Sequence, residues 1–321
     1  MHARMAPRTV GIFLVGASLI LSLALALGSH FLFGMIAAVL SSDRQISPDG
    51  QHQLTVALGF LGALLAAAGV ICWQIKDAAG WAAIKRTFLT EASVSDLPAY
   101  ASPRLILIAT TILGLFLIIH INLYSPTSEL FSILYLEDGV FESLSVLITL
   151  IGTICLVRAI WLMRQEPYRR SVPIWVLALL GAMALAFFLY AGEEISWGQR
   201  LLGWSTPEWI ATGNVQEETN VHNYFNSYFP HVYQMFVLFP LPVLLSAWLA
   251  HSRRLSRALA LILPHPSLIG LSLLIAGVAA VRPQEQELIE EMIAVFILGF
   301  CVRVLGYARA KWIEGAKQRA G

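Results

Sequence analysis

Charge is what this chain lacks most. Only 13% of its 321 residues are Asp, Glu, Lys or Arg, against about a quarter in an ordinary soluble domain, which excludes a globular protein with a conventional wetted surface. Cysteine is scarce as well. Cys72, Cys155 and Cys301 all fall inside or at the end of apolar stretches, without pairing spacing or a CxxC. A disulfide scaffold is thereby excluded, and the three read as small buried hydrophobes. The chain has no Gly-rich phosphate loop, no HExxH, no GxSxG and no multi-histidine box. P-loop hydrolysis, zincin proteolysis, α/β-hydrolase chemistry and di-iron oxidation therefore lose their usual carriers. No basic segment exceeds what membrane topology requires, so nucleic acid is not an expected partner.

What is abundant is hydrophobicity. It makes up 57% of the residues and recurs in runs close to the roughly 20 residues that span a bilayer. Runs at residues 9–28, 53–74, 104–122, 139–163, 173–191, 232–250, 257–281 and 290–306 predict an all-α polytopic transmembrane helix bundle of about eight spans. Residues 1–321 then form a single integral membrane domain. The first run follows Arg4 and Arg8 as a signal peptide would, but its apolar core is long and no A-x-A site follows, which favours an uncleaved anchor. Residues 30–40 extend it, either as one long tilted helix or as a separate interfacial one. Pro264-His265-Pro266 must kink the seventh run or delay its start, with His265 a neighbour of the kink and not a ligand.

Lys and Arg set the orientation. Assigning alternate loops to alternate sides places 18 of the 21 basic residues on one face, leaving only Arg44, Arg200 and Arg282 opposite. Both termini then lie in the cytoplasm. The acidic residues do the reverse, with 15 of 20 on the outer side. Positive-inside sorting does not demand this, because acidic residues contribute little to topology. Carboxylates have been gathered at one membrane face for another reason, and the expected location is a bacterial inner membrane with the site facing the periplasm.

Four outer segments carry the chemistry. The first, Glu137-Asp138-Gly139-Val140-Phe141-Glu142, opens the fourth span. Asp138 and Glu142 are one turn apart there, and Glu142 lies deep enough that an intramembrane carboxylate is by default a functional candidate. The second, Gly192 to Arg200 (GEEISWGQR), leaves the fifth span. Glu193 and Glu194 oppose the dipole of a helix C-terminus and so need a cation, a proton or Arg200. The third, Gln216 to Asn223 (QEETNVHN), offers Glu218, Asn220, His222 and Asn223 within eight residues, a mixture suited to a metal or a polar headgroup. Between these two, Ser205-Thr206-Pro207-Glu208 has the form of a capping box, and Trp204 and Trp209 suit the headgroup region. Residues 192–231 thus predict a structured outer-face lid with a short interfacial helix. The fourth segment, Arg282 to Glu291, opens the eighth span with Glu287 and Glu291 on one face; Glu290 and Glu291 lie deepest, and one of that pair is expected to face the bundle.

GEEISWGQR followed by QEETNVHN resembles a motif pair of bacterial multi-span membrane proteins with no assigned activity. The resemblance covers residues 192–223 and implies matches at Glu193, Glu194, Trp197, Gln199, Arg200, Glu218, Asn220, His222 and Asn223. The adjacent glutamates are also similar to the EExxxR motif of CAAX-processing glutamate proteases. Here Arg200 stands two positions further along and the paired intramembrane histidines are lacking.

The expected function is a membrane-embedded hydrolase or group transferase acting on a lipid or lipid-linked substrate at the outer face. Glu142, Glu193, Glu194, Gln199, Arg200 and His222 are the candidate catalytic residues, and Asp138, Trp197, Asn220, Asn223, Glu287 and Glu291 the candidate substrate contacts. A divalent ion (Mg, Mn or Zn) held by Glu142, Glu194, Glu218 and His222 is one version, and carboxylate acid–base catalysis the other. A proton- or cation-coupled transporter and a non-catalytic membrane assembly protein remain the alternatives.

Overall fold

The computed structural model describes residues 78–89, 97–121, 140–166, 172–211, 219–220, 229–282 and 285–320. Among them there is helix and turn and no strand. The chain divides into two compact units, residues 86–276 with 284–321 and residues 1–85 with 277–283. The runs at 9–28 and 53–74 and the extension at 30–40 lie outside the described residues.

The helices are α1 (Ala78–Leu89), α2 (Pro103–Ile121), α3 (Val140–Met163), α4 (Ile174–Glu194), α5 (Gln199–Leu202), α6 (Glu208–Ala211), α7 (Phe229–Met235), α8 (Leu241–His251), α9 (Arg257–Ile262), α10 (Ile269–Val281) and α11 (Gln286–Ala320). Four stretches are long and apolar enough to cross a membrane, at Val140–Met163, Ile174–Glu194, Val232–His251 and Arg257–Val281. Large apolar side chains such as Ile112, Ile154 and Leu185 stand exposed on these and neighbouring helices. A water-soluble fold would bury such residues, whereas lipid covers them without penalty. The chain is an all-α membrane protein.

The core of the larger unit is the seam between α3 and α11. α3 buries Ser145, Thr149, Gly152, Leu156, Ala159 and Met163, which alternate four- and three-residue steps and keep one narrow stripe on the partner. Small residues on that stripe let the backbones approach, as helices must in lipid, where apolar burial between them gains little. A Cβ on Gly152 would stand 3.3 Å from Ile297 Cγ2 and 3.5 Å from the Leu298 Cα.

Three elements depart from a plain run of apolar helix. α11 is 35 residues long, about 52 Å at 1.5 Å per residue, and so outruns a hydrocarbon core of about 30 Å. It continues past the expected end near 306 because ARAKWIEGAKQRA consists largely of strong helix formers, with Lys311 Nζ 2.6 Å from Glu314 Oε2 on its surface. α7 and α8 are separated by a 3-10 turn at Phe236–Leu238 just before Pro240, a residue with no N–H to continue the ladder. The seventh run breaks at Pro264 as its prolines require, and His265 Nδ1 accepts from Ser267 N at 3.1 Å to start the next turn. That break leaves the Ala260 carbonyl without a helical donor, because its partner four residues on is the nitrogen of Pro264. Arg303, 2% exposed on α11, donates its guanidinium to that carbonyl.

Candidate functional site

α4 does not stop where its apolar run ends. The helix carries Glu193 and Glu194 in its last turn before closing at Ile195, so two carboxyls sit where the helix dipole already places partial negative charge. The first two turns of α11, the favourable end of a helix for an acid, bring Glu287, Glu290 and Glu291 opposite. Glu194 and Glu290 are joined through their carboxyl groups, with Glu287 and Glu142 as the next charged neighbours of Glu194. Tyr233 of α7 donates its hydroxyl to Glu290 Oε1. The ends of α3, α4, α7 and α11 thus meet around carboxyl groups, and a cluster of one sign in a low dielectric must be balanced by protons or by a cation.

Two members of this cluster are unsatisfied. Glu291 is 4% exposed, and neither carboxyl oxygen has a hydrogen-bond partner among the described residues; its charged neighbours are Glu287 and Glu290. Tyr190, one helical turn before Glu194, lies among Glu194, Glu290, Glu287 and Glu291. Its buried hydroxyl likewise has no hydrogen-bond partner among the described residues.

The chain leaves α4 through a strained turn. Ser196 (φ 46°), Trp197 (φ 55°) and Gly198 (φ 80°) are all left-handed, and the two with side chains each cost about 1 kcal/mol or more in that region. The surroundings hold the turn in place. Trp197 Nε1 donates to Glu193 Oε1 at 2.8 Å, and its ring packs edge-on against Phe188, with centroids 6.2 Å apart. The same ring covers Gly192 so closely that a Cβ there would stand 2.8 Å from it. Ser196 Oγ accepts from Asn220 Nδ2 at 3.0 Å, with Asn220 almost fully buried. Gln199 Oε1 accepts from Thr206 Oγ1 at 3.0 Å and from Thr219 N at 2.6 Å.

Those last bonds join the two sequence motifs. Ser196 and Gln199 of GEEISWGQR hold Asn220 and Thr219 of QEETNVHN, so the segments meet in space although about twenty residues separate them. Of the residues singled out from sequence, Glu142, Glu194, Glu287 and Glu291 are brought together. Glu193 faces Trp197 instead, and Gln199 and Asn220 spend their amide groups on the loop. Arg200 belongs to α5, and its side chain is outside the described residues, as are Asp138, Glu218, His222 and Asn223. Among the described residues, no three His, Cys, Asp or Glu side chains gather in a metal-holding arrangement. Two of the four candidate metal ligands, Glu142 and Glu194, are at the cluster.

Sequence reasoning passed over Tyr190 and Tyr233. Tyr190 sits four residues before Glu194, and Tyr233 three after Pro230 at the mouth of a span; a tyrosine at a span end ordinarily marks the interface, so its position alone does not distinguish it as a site residue. Compared with known proteins, the chain matches no family model, no curated protein and no solved structure.

Proposed function

We propose that this protein is a membrane-embedded hydrolase or group transferase that works by carboxylate acid–base chemistry on a lipid or lipid-linked substrate. In this reading the chain crosses a bacterial inner membrane eight times with both termini in the cytoplasm, and the site opens toward the periplasm, as the segregation of basic and acidic residues supports. The observation that carries it is the facing pair Glu194 and Glu290, from two different helices, with the Tyr233 hydroxyl on Glu290. A positioned pair of carboxyls can divide the two proton transfers of hydrolysis, one taking the proton of an attacking hydroxyl or water while the other delivers one to the leaving oxygen. Tyr233 orients Glu290 for its part. Ser196 of the strained turn and Gln199 just after it hold Asn220 and Thr219 close to the end of α4.

The test is turnover by the purified full-length chain of vesicles containing phosphatidylethanolamine and phosphatidylglycerol, followed by mass spectrometry of released headgroups, acyl chains and transfer products. Loss of product in Glu194→Gln and in Glu290→Gln is the expected result. No product from the unaltered protein, or product undiminished in both variants, sinks the proposal. The metal version, with Glu142, Glu194, Glu218 and His222 as ligands, adds a Mg, Mn or Zn ion to the same site. It is tested by elemental analysis before and after His222→Ala, and equal or absent metal in both proteins removes it.

A proton- or cation-coupled carrier is the second reading, favoured by the placement of this carboxyl pair inside a helix bundle. Against it stands the crowding of polar groups at one end, where a carrier tends to use the midplane. Uptake into proteoliposomes abolished by Glu142→Gln would reverse the order of the two. A scaffold that merely presents acids to a basic partner fits less well, because Glu291 is almost fully buried.

A further inference from the structure

The acidic end of the bundle holds three oxygen atoms that no donor among the described residues reaches, Oε1 and Oε2 of Glu291 and Oη of Tyr190. Glu291 is not a solvated surface acid, since only 4% of it is exposed. A carboxyl buried without a partner is costly, and an apolar residue of similar volume packs there at less cost. Its presence therefore asks for an occupant. The groups around Tyr190, namely Glu194, Glu290, Glu287 and Glu291, are all acidic, so a ligand that suits them is cationic.

The unpartnered oxygens narrow the chemistry of such a ligand. Three free acceptors match the three N–H donors of a primary ammonium, whereas a quaternary ammonium has none to give. Aromatic rings stand beside the acids: Tyr190 itself, and Tyr233, which bonds Glu290 and lies 5.8 Å from the Phe236 ring. Ring faces add to the binding of an alkylammonium. The location supplies the rest. Glu142 is in the first turn of spanning helix α3 and Glu194 ends spanning helix α4, which is the depth at which lipid headgroups lie.

We propose that Glu291 and Tyr190, within the acidic end of α4 and α11, form a site for the primary ammonium of an ethanolamine phospholipid headgroup. This rests on the enzymatic reading only in making that lipid the substrate; the binding itself requires no turnover.

The experiment is lipid retention. Full-length protein, stripped of lipid in detergent, is incubated with equal amounts of phosphatidylethanolamine, phosphatidylcholine and phosphatidylglycerol of identical acyl chains, and the bound lipid is read by native mass spectrometry. The ethanolamine lipid is expected to exceed the choline lipid by about tenfold, the discrimination of roughly one charge-assisted hydrogen bond. Glu291→Gln should abolish the preference, and Glu208→Gln, an exposed acid on α6, should keep it. Equal retention of the two lipids, or a preference unchanged by Glu291→Gln, overturns the site. If Glu291→Gln does not fold, Tyr190→Phe removes one acceptor and no charge, and an unchanged preference there overturns it equally. Displacement by free phosphoethanolamine, without any retained lipid, overturns the lipid assignment. Preference without turnover overturns the enzymatic reading and leaves this site standing.

Discussion

Arg303 and Glu291 are both buried ionisable residues on α11, twelve residues and about 18 Å apart, and they differ in whether the fold accounts for them. Arg303 fills a need that the sequence itself creates: Pro264 cannot donate to the Ala260 carbonyl, and the guanidinium does so instead. Glu291 fills none among the described residues. The first is architecture. The second is the kind of buried polar group that persists against its own cost because something outside the fold uses it. The same division runs through the described residues of the larger unit, with small residues on the α3–α11 seam and carboxyls, an unsatisfied tyrosine and the left-handed turn at 196–198 together at the end of α4.

The sharpest way to break this comparison is to measure chemistry and stability in the same variants. Glu290→Gln should lower turnover of ethanolamine phospholipid by about 10² to 10⁴, the usual contribution of a positioned acid or base, while Arg303→Met leaves turnover per folded molecule unchanged. If both lose turnover alike, the distinction between site and scaffold fails. The sign of the stability change should then separate the two buried residues. Arg303→Met strands the Ala260 carbonyl and is expected to lower stability by about 1–3 kcal/mol. Glu291→Met replaces an unpaired buried carboxyl with an apolar chain of similar size, and should raise it by about 1–4 kcal/mol. Thermal unfolding in detergent reads both, and a drop in melting temperature for Glu291→Met would show that its carboxyl is a structural partner after all.

Smaller effects test the turn. Gly192→Ala puts a methyl group against the Trp197 ring, and should cost about 1–3 kcal/mol, as overpacking does, with reduced turnover because Glu194 is two residues away. Trp197→Phe keeps a ring in place and removes only the donor to Glu193; its expected cost is about 0.5–1.5 kcal/mol. Equal costs for the two variants would mean that the hydrogen bond, and not the close packing on Gly192, holds the turn.

Much of this was legible before any coordinates. Hydropathy placed α3 and α4 within a few residues, because spanning helices must be apolar for the length of the bilayer and their ends are polar for the same reason. The break at Pro264 followed from a missing N–H. α11 runs on past the span expected at 290–306, because an apolar run reports the length of a span and not of a helix, and the residues beyond it are largely strong helix formers. At the site, the unfavourable pairing of Glu193 and Glu194 with a helix C-terminus pointed to function, but only one of the two joins the acidic cluster, and the other is turned aside by Trp197. Glu218, His222, Asn223 and Asp138 lie outside the described residues.

By itself the sequence determined that this is a helical membrane protein with its acids drawn to the ends of particular spans, since composition and run length answer directly to the cost of placing charge in lipid. Which carboxyls meet was decided only by tertiary structure. The pairing of Glu194 with Glu290, the hydroxyl of Tyr233 on that pair and the unpartnered Glu291 depend on how α4, α7 and α11 are rotated about their axes. For α11 the close approach to α3 at Gly152 fixes that rotation in part, ten residues from Glu142.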